Sequence, residues 1–292
     1  MDKSLHTLSR RAMGIAMLLY GILATSGARA QTFTTGNITY KVTDASAATV
    51  SVTSATQVIS NLSIPSSVVY DKKTYTVTEI GDNAFTKYKL TGTIKLPKTL
   101  KKIGEQAFCY ADITGELYIP LSVESIGRNA FNGCNKLTSL RITHSVKELG
   151  NYAFDDCRGV TYLYFDIPDA EQIVSRRYPM FSHLGADGSG VDVVIGNHVK
   201  SIRQYTFSDY VNLKSLTFEA GSVCTEIDGG AFTDYNKEYG ELSSLGGELR
   251  LPSSIKKIGA GAFAETSITS LVIPEGVEEI GDRKSVGRER VC

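Results

Sequence analysis

The chain has 292 residues, 42% of them hydrophobic, with 27 Gly, 7 Pro, 15 Tyr, 11 Phe and no Trp, and it carries 31 basic against 31 acidic residues. That composition supports a sizeable core and excludes a disordered or collagen-like chain. The even charge argues against nucleic acid as a partner, because neutralising phosphates requires a basic face.

From the N-terminus, the first element reads as an export signal. Arg10 and Arg11 precede the apolar run Ala12 to Ala24, and "ARAQ" follows with Ala28 and Ala30 at small-residue cleavage positions. The thirteen-residue run is too short to span a bilayer as a permanent helix. Residues 1–30 are therefore expected to be a signal peptide cleaved after Ala30, and the protein to be exported to the cell surface or the medium. Removing them takes away Lys3, Arg10, Arg11, Arg29 and Asp2, leaving 27 basic against 30 acidic residues. No later segment approaches transmembrane length.

Residues 31–75 alternate apolar and polar side chains in "NITYKVTD" and "ATVSVTS", and "SVVYDKKTYTVTEI" reads as a hairpin turning at Asp71 to Lys73. This segment is expected to be a β-rich N-terminal cap that covers the first coil of a repeat array.

The repeat begins at about residue 76. Phe85, Phe108, Phe131 and Phe154 are spaced by 23 residues, and Phe181, Phe207, Phe232 and Phe263 come after them at 27, 26, 25 and 31. An aliphatic stands five residues before most of them (Ile80, Ile103, Ile126, Leu149, Ile202, Ile227, Ile258). A Gly often succeeds it, at 81, 104, 127, 150 and 259, as a turn with positive φ or a close backbone approach demands. Ahead of each block lies a short alternating run such as "GELYIP", "LTSLRIT" or "ITSLVIP". Its parity buries Leu117/Ile119, Leu140/Ile142, Leu163/Phe165, Leu216/Phe218, Leu249/Leu251 and Leu271/Ile273. One parallel strand per repeat makes a sheet that grows by about 4.8 Å per copy, and no coil is stable alone.

"LTSLRITHSVKELGNYAFDDC", Leu137 to Cys157, resembles the BspA-like leucine-rich repeat (the LRR_5 type), L-x-x-I-x-I-P-x-x-V-x-x-I-G-x-x-A-F-x-x-C, with Thr143 in place of the Pro. The resemblance covers residues 75–282. It implies a right-handed leucine-rich-repeat solenoid on a secreted or surface-exposed bacterial protein, in a family associated with adhesion to host matrix and to other cells. Residues 76–282 hold about eight repeats and part of a ninth. Two units depart from the pattern. "DIPDAEQIVSRRYPMF" lacks the Ile-Gly step and is expected to hold a short helix starting near Pro168, and Asp234 to Gly247 is expected to be a loop.

The ninth unit breaks at Lys284 and Ser285, where Ala-Phe is due. The tail 283–292, "RKSVGRERVC", reads either as vector or adapter read-through, with the natural repeats continuing beyond, or as a basic solvated tail.

Five Cys invite disulfide accounting. Cys134 and Cys157 share a repeat position, which brings their Cα atoms to about 5 Å, within bridging range. Equivalent side chains in a stack lie parallel rather than facing, so free buried thiols are the preferred reading. His144, His183 and His198 have no metal-site spacing, and His144 and His198 read as solvated turn residues. There is no phosphate loop and no nucleophile elbow. No cofactor, no metal and no enzymatic activity are expected.

Strand parity instead aligns Tyr118, Arg141 and Tyr164 in one outward column, continued by Lys95 on one side and by Val194, Thr217, Arg250 and Val272 on the other. Tyr162 stands in the adjacent column with Glu116 and Ser139. Tyr and Arg are the residues enriched in interface hot spots, so Tyr118, Arg141, Tyr162 and Tyr164 are the candidate contacts for a protein or glycan outside the cell. The alternative is a structural spacer that presents another module.

Overall fold

The computed structural model describes residues 31–87, 90–168, 181, 183–188, 190–208, 212–233 and 245–281. The leader, the helix expected near Pro168, most of the 234–247 loop and the tail lie outside the described residues; Gly246 and Gly247, expected in that loop, begin a strand.

The N-terminal segment is β-rich. β1 (Thr32–Thr35), β2 (Ile38–Asp44) and β3 (Thr49–Ala55) lie side by side in one sheet, β2 and β3 antiparallel. β5 (Ser67–Tyr70) and β6 (Lys73–Ile80) form the hairpin at the expected turn, with positive φ at Asp71 and Lys72 as a two-residue primed turn requires. Between them, β4 (Ile59–Ser63) already runs parallel to β7 (Leu90–Lys95), so the parallel ladder reaches back to residue 59.

From there the chain is a β-solenoid. Its long strands are β7, β10 (Gly115–Tyr118), β12 (Leu137–Ile142), β14 (Tyr162–Phe165), β15 (Val191–Ile195), β17 (Leu213–Phe218), β19 (Gly246–Arg250) and β21 (Ser267–Val272); β9 (Asp112–Ile113) pairs with β7. β10, β12, β14, β15 and β17 form one parallel sheet, and β19 and β21 another. Beyond the one strand expected per coil, the aliphatic five residues before the core Phe, or its equivalent at Ile280, ends a two-residue strand in seven coils: β8 (Lys102–Ile103), β11 (Ser125–Ile126), β13 (Glu148–Leu149), β16 (Ser201–Ile202), β18 (Glu226–Ile227), β20 (Lys257–Ile258) and β22 (Glu279–Ile280). These make a ladder from β6 through β13 and a second one from β16 through β22.

The core is a column of rings. Phe85, Phe108, Phe131 and Phe154 stack at 5.3, 5.0 and 5.3 Å with planes within 8°. The column continues through Phe181, Phe207, Phe232 and Phe263 at 6.1, 6.0, 5.4 and 5.2 Å. Offset-stacked pairs of this kind add about 0.5–1.5 kcal/mol beyond burial. The backbone holds the rings in step, because Phe85, Phe108 and Phe131 each donate an N–H to the Ala carbonyl of the next coil at 2.7–2.8 Å.

The repeated Gly serves close approach, not positive φ. A Cβ at Gly104, Gly127 or Gly150 would stand 2.3–2.7 Å from backbone atoms of the preceding coil. Positive φ falls two residues later, at Asn83, Gln106, Asn129 and Tyr152.

Strand parity holds through the middle of the array, where Leu117, Ile119, Leu140, Ile142, Leu163 and Phe165 are fully buried. It weakens at the far end. Phe218 and Leu271 are only half-buried, and Ile273, expected inside, is 41% exposed because no further described coil covers it.

Cys134 and Cys157 are free thiols, donating to the carbonyls of Phe108 and Phe131 at 3.2 and 3.3 Å. Each sulfur repeats the bond of its neighbour one coil on, so the side chains lie parallel, and burial pushes both thiols well above their ordinary range.

Candidate functional site

The sheet β10–β12–β14–β15–β17 sets the outward columns. Tyr118, Arg141, Tyr164, Val194 and Thr217 are consecutive register partners, and Glu116, Ser139, Tyr162, Asp192 and Ser215 form the column beside them. The hydrogen-bonded ladder of this sheet ends there, although β7 lies against β10 and β19 against β17. Lys95 belongs to the β4–β7–β9 sheet, and Arg250 pairs with Val272 in the separate sheet of β19 and β21.

Within the column the side chains are unequal. Tyr118 is 45% exposed. Arg141 and Tyr164 are half-buried because the guanidinium lies over the ring of Tyr164, 4.4 Å from its centroid. That contact is worth about 0.5–1 kcal/mol at a wet surface. The Tyr164 hydroxyl donates to Glu219 Oε2 at 2.8 Å, and the same oxygen accepts the Asn197 N–H at 3.1 Å. Burial, followed by the bond to Glu219, pushes that hydroxyl upward from its ordinary pKa. Tyr162 is half-buried beside Asp192, which takes the Ser215 hydroxyl at 2.6 Å and the Lys214 ammonium at 3.1 Å.

The row just past the inward strand residues carries a second group. Four coils have Pro there, at 97, 120, 252 and 274, whereas the four consecutive coils between them have Thr143, Asp166, Gly196 and Glu219. Proline cannot donate to a ladder. Its replacement extends the sheet: Asp166, Gly196 and Glu219 donate their amides to Ile142, Phe165 and Ile195 at 3.0, 2.8 and 2.9 Å. Thr143 donates its hydroxyl to Ile119 instead, at 3.2 Å.

Asp166 is buried, 2% exposed, and its Oδ1 accepts the His198 N–H at 3.0 Å. Its Oδ2 lies 3.2 Å from His144 Nδ1 and 2.8 Å from His198 Nδ1, and the two imidazoles stand 3.9 Å apart. His144 and His198, expected as solvated turn residues, do keep one side in solvent, but both are tied to one buried carboxylate. The metal spacing sought in sequence is local, and this trio draws its members from three coils, so local spacing does not reveal it. The lost prolines are the signal in the sequence that points to it.

Among the described residues, no helix is long and apolar enough to cross a membrane.

The family model "BspA type Leucine rich repeat region (6 copies)" matches residues 56–178 and 189–284. Among solved structures, a leucine-rich repeat protein from Bacteroides ovatus is 19% identical, with 85% of this chain and 90% of that one covered and a TM-score of 0.41. The pneumococcal vaccine antigen PcpA is 16% identical over 88% of this chain and 80% of its own, at a TM-score of 0.39. A leucine rich cell surface protein from Faecalibacterium prausnitzii is 19% identical over 88% and 89%, at 0.24. No curated protein matches. The two blocks of the family match cover most of the sequence and coincide with the coils described above, and the chain belongs to the BspA-type leucine-rich-repeat family.

Proposed function

We propose that the chain is a non-enzymatic, exported repeat protein that binds a macromolecular partner, protein or glycan, through the face of its central sheet. Tyr118, Arg141 and Tyr164 supply the anchors and Tyr162 the flank. The observation that carries this reading is the run of register partners with Arg141 laid over Tyr164 at 4.4 Å. A rigid sheet holds these large amphipathic side chains in place before binding, so little conformational entropy is lost when a partner arrives. Export is supported by the signal-like leader, and adhesion by the family resemblance.

The test probes arrays of extracellular-matrix proteins and of glycans with the full chain and with the triple variant Tyr118→Ser, Arg141→Ser, Tyr164→Ser. Binding that falls at least tenfold in the variant, with an unchanged circular dichroism spectrum, is the expected result. Because Tyr164 also bonds Glu219, the exposed Tyr118→Ser alone serves as the second variant. A folded triple variant that binds as well as the parent would remove this face. A blank on both arrays would favour the spacer.

A further inference from the structure

Three ligating side chains that the sheet-face reading does not use meet at the C-terminal ends of successive strands. His144 lies just past β12, Asp166 just past β14 and His198 just past β15. Their ligand atoms all lie within 4.8 Å of one another. We propose that His144 Nδ1, Asp166 Oδ2 and His198 Nδ1 bind one divalent transition-metal ion of the Zn²⁺ class, leaving a coordination position open to solvent.

The donor set selects the ion. Two imidazole nitrogens and one carboxylate suit Zn²⁺ and its neighbours, whereas Ca²⁺ and Mg²⁺ demand a shell of oxygens. The distances are close to those required. Bonds of about 2.0–2.2 Å at tetrahedral angles place ligand atoms about 3.3–3.6 Å apart; the two nitrogen-to-oxygen separations are 3.2 and 2.8 Å, so the exposed rings need to open by less than about 1 Å to admit an ion.

The carboxylate is fixed in advance. Asp166 is held from one side by its amide bond to Ile142 and from the other by the His198 N–H on Oδ1. Gly196 makes room for it, since a Cβ at 196 would stand 2.2 Å from Oδ1. The second oxygen is thereby aimed at the two rings. That oxygen lies within hydrogen-bond reach of both imidazoles, each through Nδ1. A metal ion binds deprotonated donors, and it would serve the same three atoms.

The side chains of His144 and His198 are 40% and 50% exposed, so the rings can close on an ion without disturbing the core, and the ion keeps a wet side. A structural zinc site uses four protein ligands, and three leave a place for water or an outside donor.

The test titrates ZnCl₂ into the full chain, carrying no polyhistidine tag, by calorimetry near neutral pH. CoCl₂ is added in parallel and read by its visible absorption. About one equivalent should bind, with no comparable heat from MgCl₂ or CaCl₂. His144→Gln and His198→Gln should each weaken binding by about 100-fold or more, given that supporting partners of a ligand alone are worth 10–100-fold. His183→Gln, which alters an imidazole beside Asp155 instead, should leave it unchanged. The variants change exposed rings, and circular dichroism of the metal-free proteins separates a lost ligand from a lost fold. Absence of both the calorimetric heat and the cobalt band in the parent would overturn the proposal, and so would a stoichiometry and affinity that survive both substitutions in folded protein.

Discussion

Between Phe85 and Phe154 the coils recur every 23 residues, whereas between Phe154 and Phe207 the spacings are 27 and 26. In the first stretch both edges of the stack are laddered and the rings sit 5.0–5.3 Å apart. In the second the rings open to 6.1 and 6.0 Å, and among the described residues the short-strand ladder stops at β13 and resumes at β16. The long-strand sheet crosses the junction unbroken, with β14 and β15 paired over Tyr162↔Asp192 to Phe165↔Ile195. Among the described residues, the long sheet is therefore the ladder that carries the stack across a lengthened coil. Polar chemistry collects at the same place, because the prolines are replaced at and beside this junction.

The two stretches should differ most at their rings. Phe131→Ala should cost about 3–5 kcal/mol in denaturant melts, and Phe181→Ala should fall at the lower end of that range because its neighbours are farther away. Equal costs would mean that the wider spacing carries no energy. A Phe131→Ala melt within about 1 kcal/mol of the parent would contradict the ring column as a core.

A smaller difference is expected at the Gly step. Gly127→Ala places a methyl 2.6 Å from Glu105 N and should cost about 1–3 kcal/mol by overpacking. At the equivalent step beyond the junction stands Arg203, whose guanidinium faces Glu226 and Asp228 at 4.0 and 3.7 Å. Arg203→Ala trims a partly buried guanidinium and adds no atom against the backbone, so it should cost about 1 kcal/mol, at or below the lower end of the Gly127→Ala range. The reverse order of melting temperatures would show that backbone approach does not govern this step.

The smallest effect is acid sensitivity. The hydroxyl of Ser215, then the Lys214 ammonium, hold the Asp192 carboxyl below its ordinary range. A depressed carboxyl stabilises the fold above its unfolded pKa of about 3.9 and loses that contribution as pH falls through the lower folded value. Amides of β15 and β17 should therefore lose hydrogen-exchange protection on acidification before those of β10 and β12. Asp192→Asn should abolish the difference, and an unchanged profile would refute the assignment.

The ring column, the strand parity and the register of Tyr118, Arg141 and Tyr164 were legible because each repeats with the coil, and periodicity is what a sequence displays. The two-residue strands were not, since two residues give no alternation to read. The His144–Asp166–His198 trio was hidden by separations of 22 and 32 residues across a coil of unusual length. Placing Thr143, Asp166 and Gly196 in one row from the buried Leu140, Leu163 and Val193 would have exposed it. The inward assignment of Ile273 failed for a different reason, because parity says which way a side chain points and not whether anything covers it.

The glycines that lie against the backbone of the preceding coil also govern how such a chain can change in length. Removing or duplicating part of a coil would slide a residue with a side chain over Gly104, Gly127 or the backbone beside them, where a Cβ meets main-chain atoms at under 3 Å. Removing or duplicating a whole coil returns a Gly to the same place. A change of whole units therefore keeps every such contact, whereas a partial insertion keeps it only when the added residues sit outside the step, as in the 31-residue unit before Phe263, which retains Ile258-Gly259.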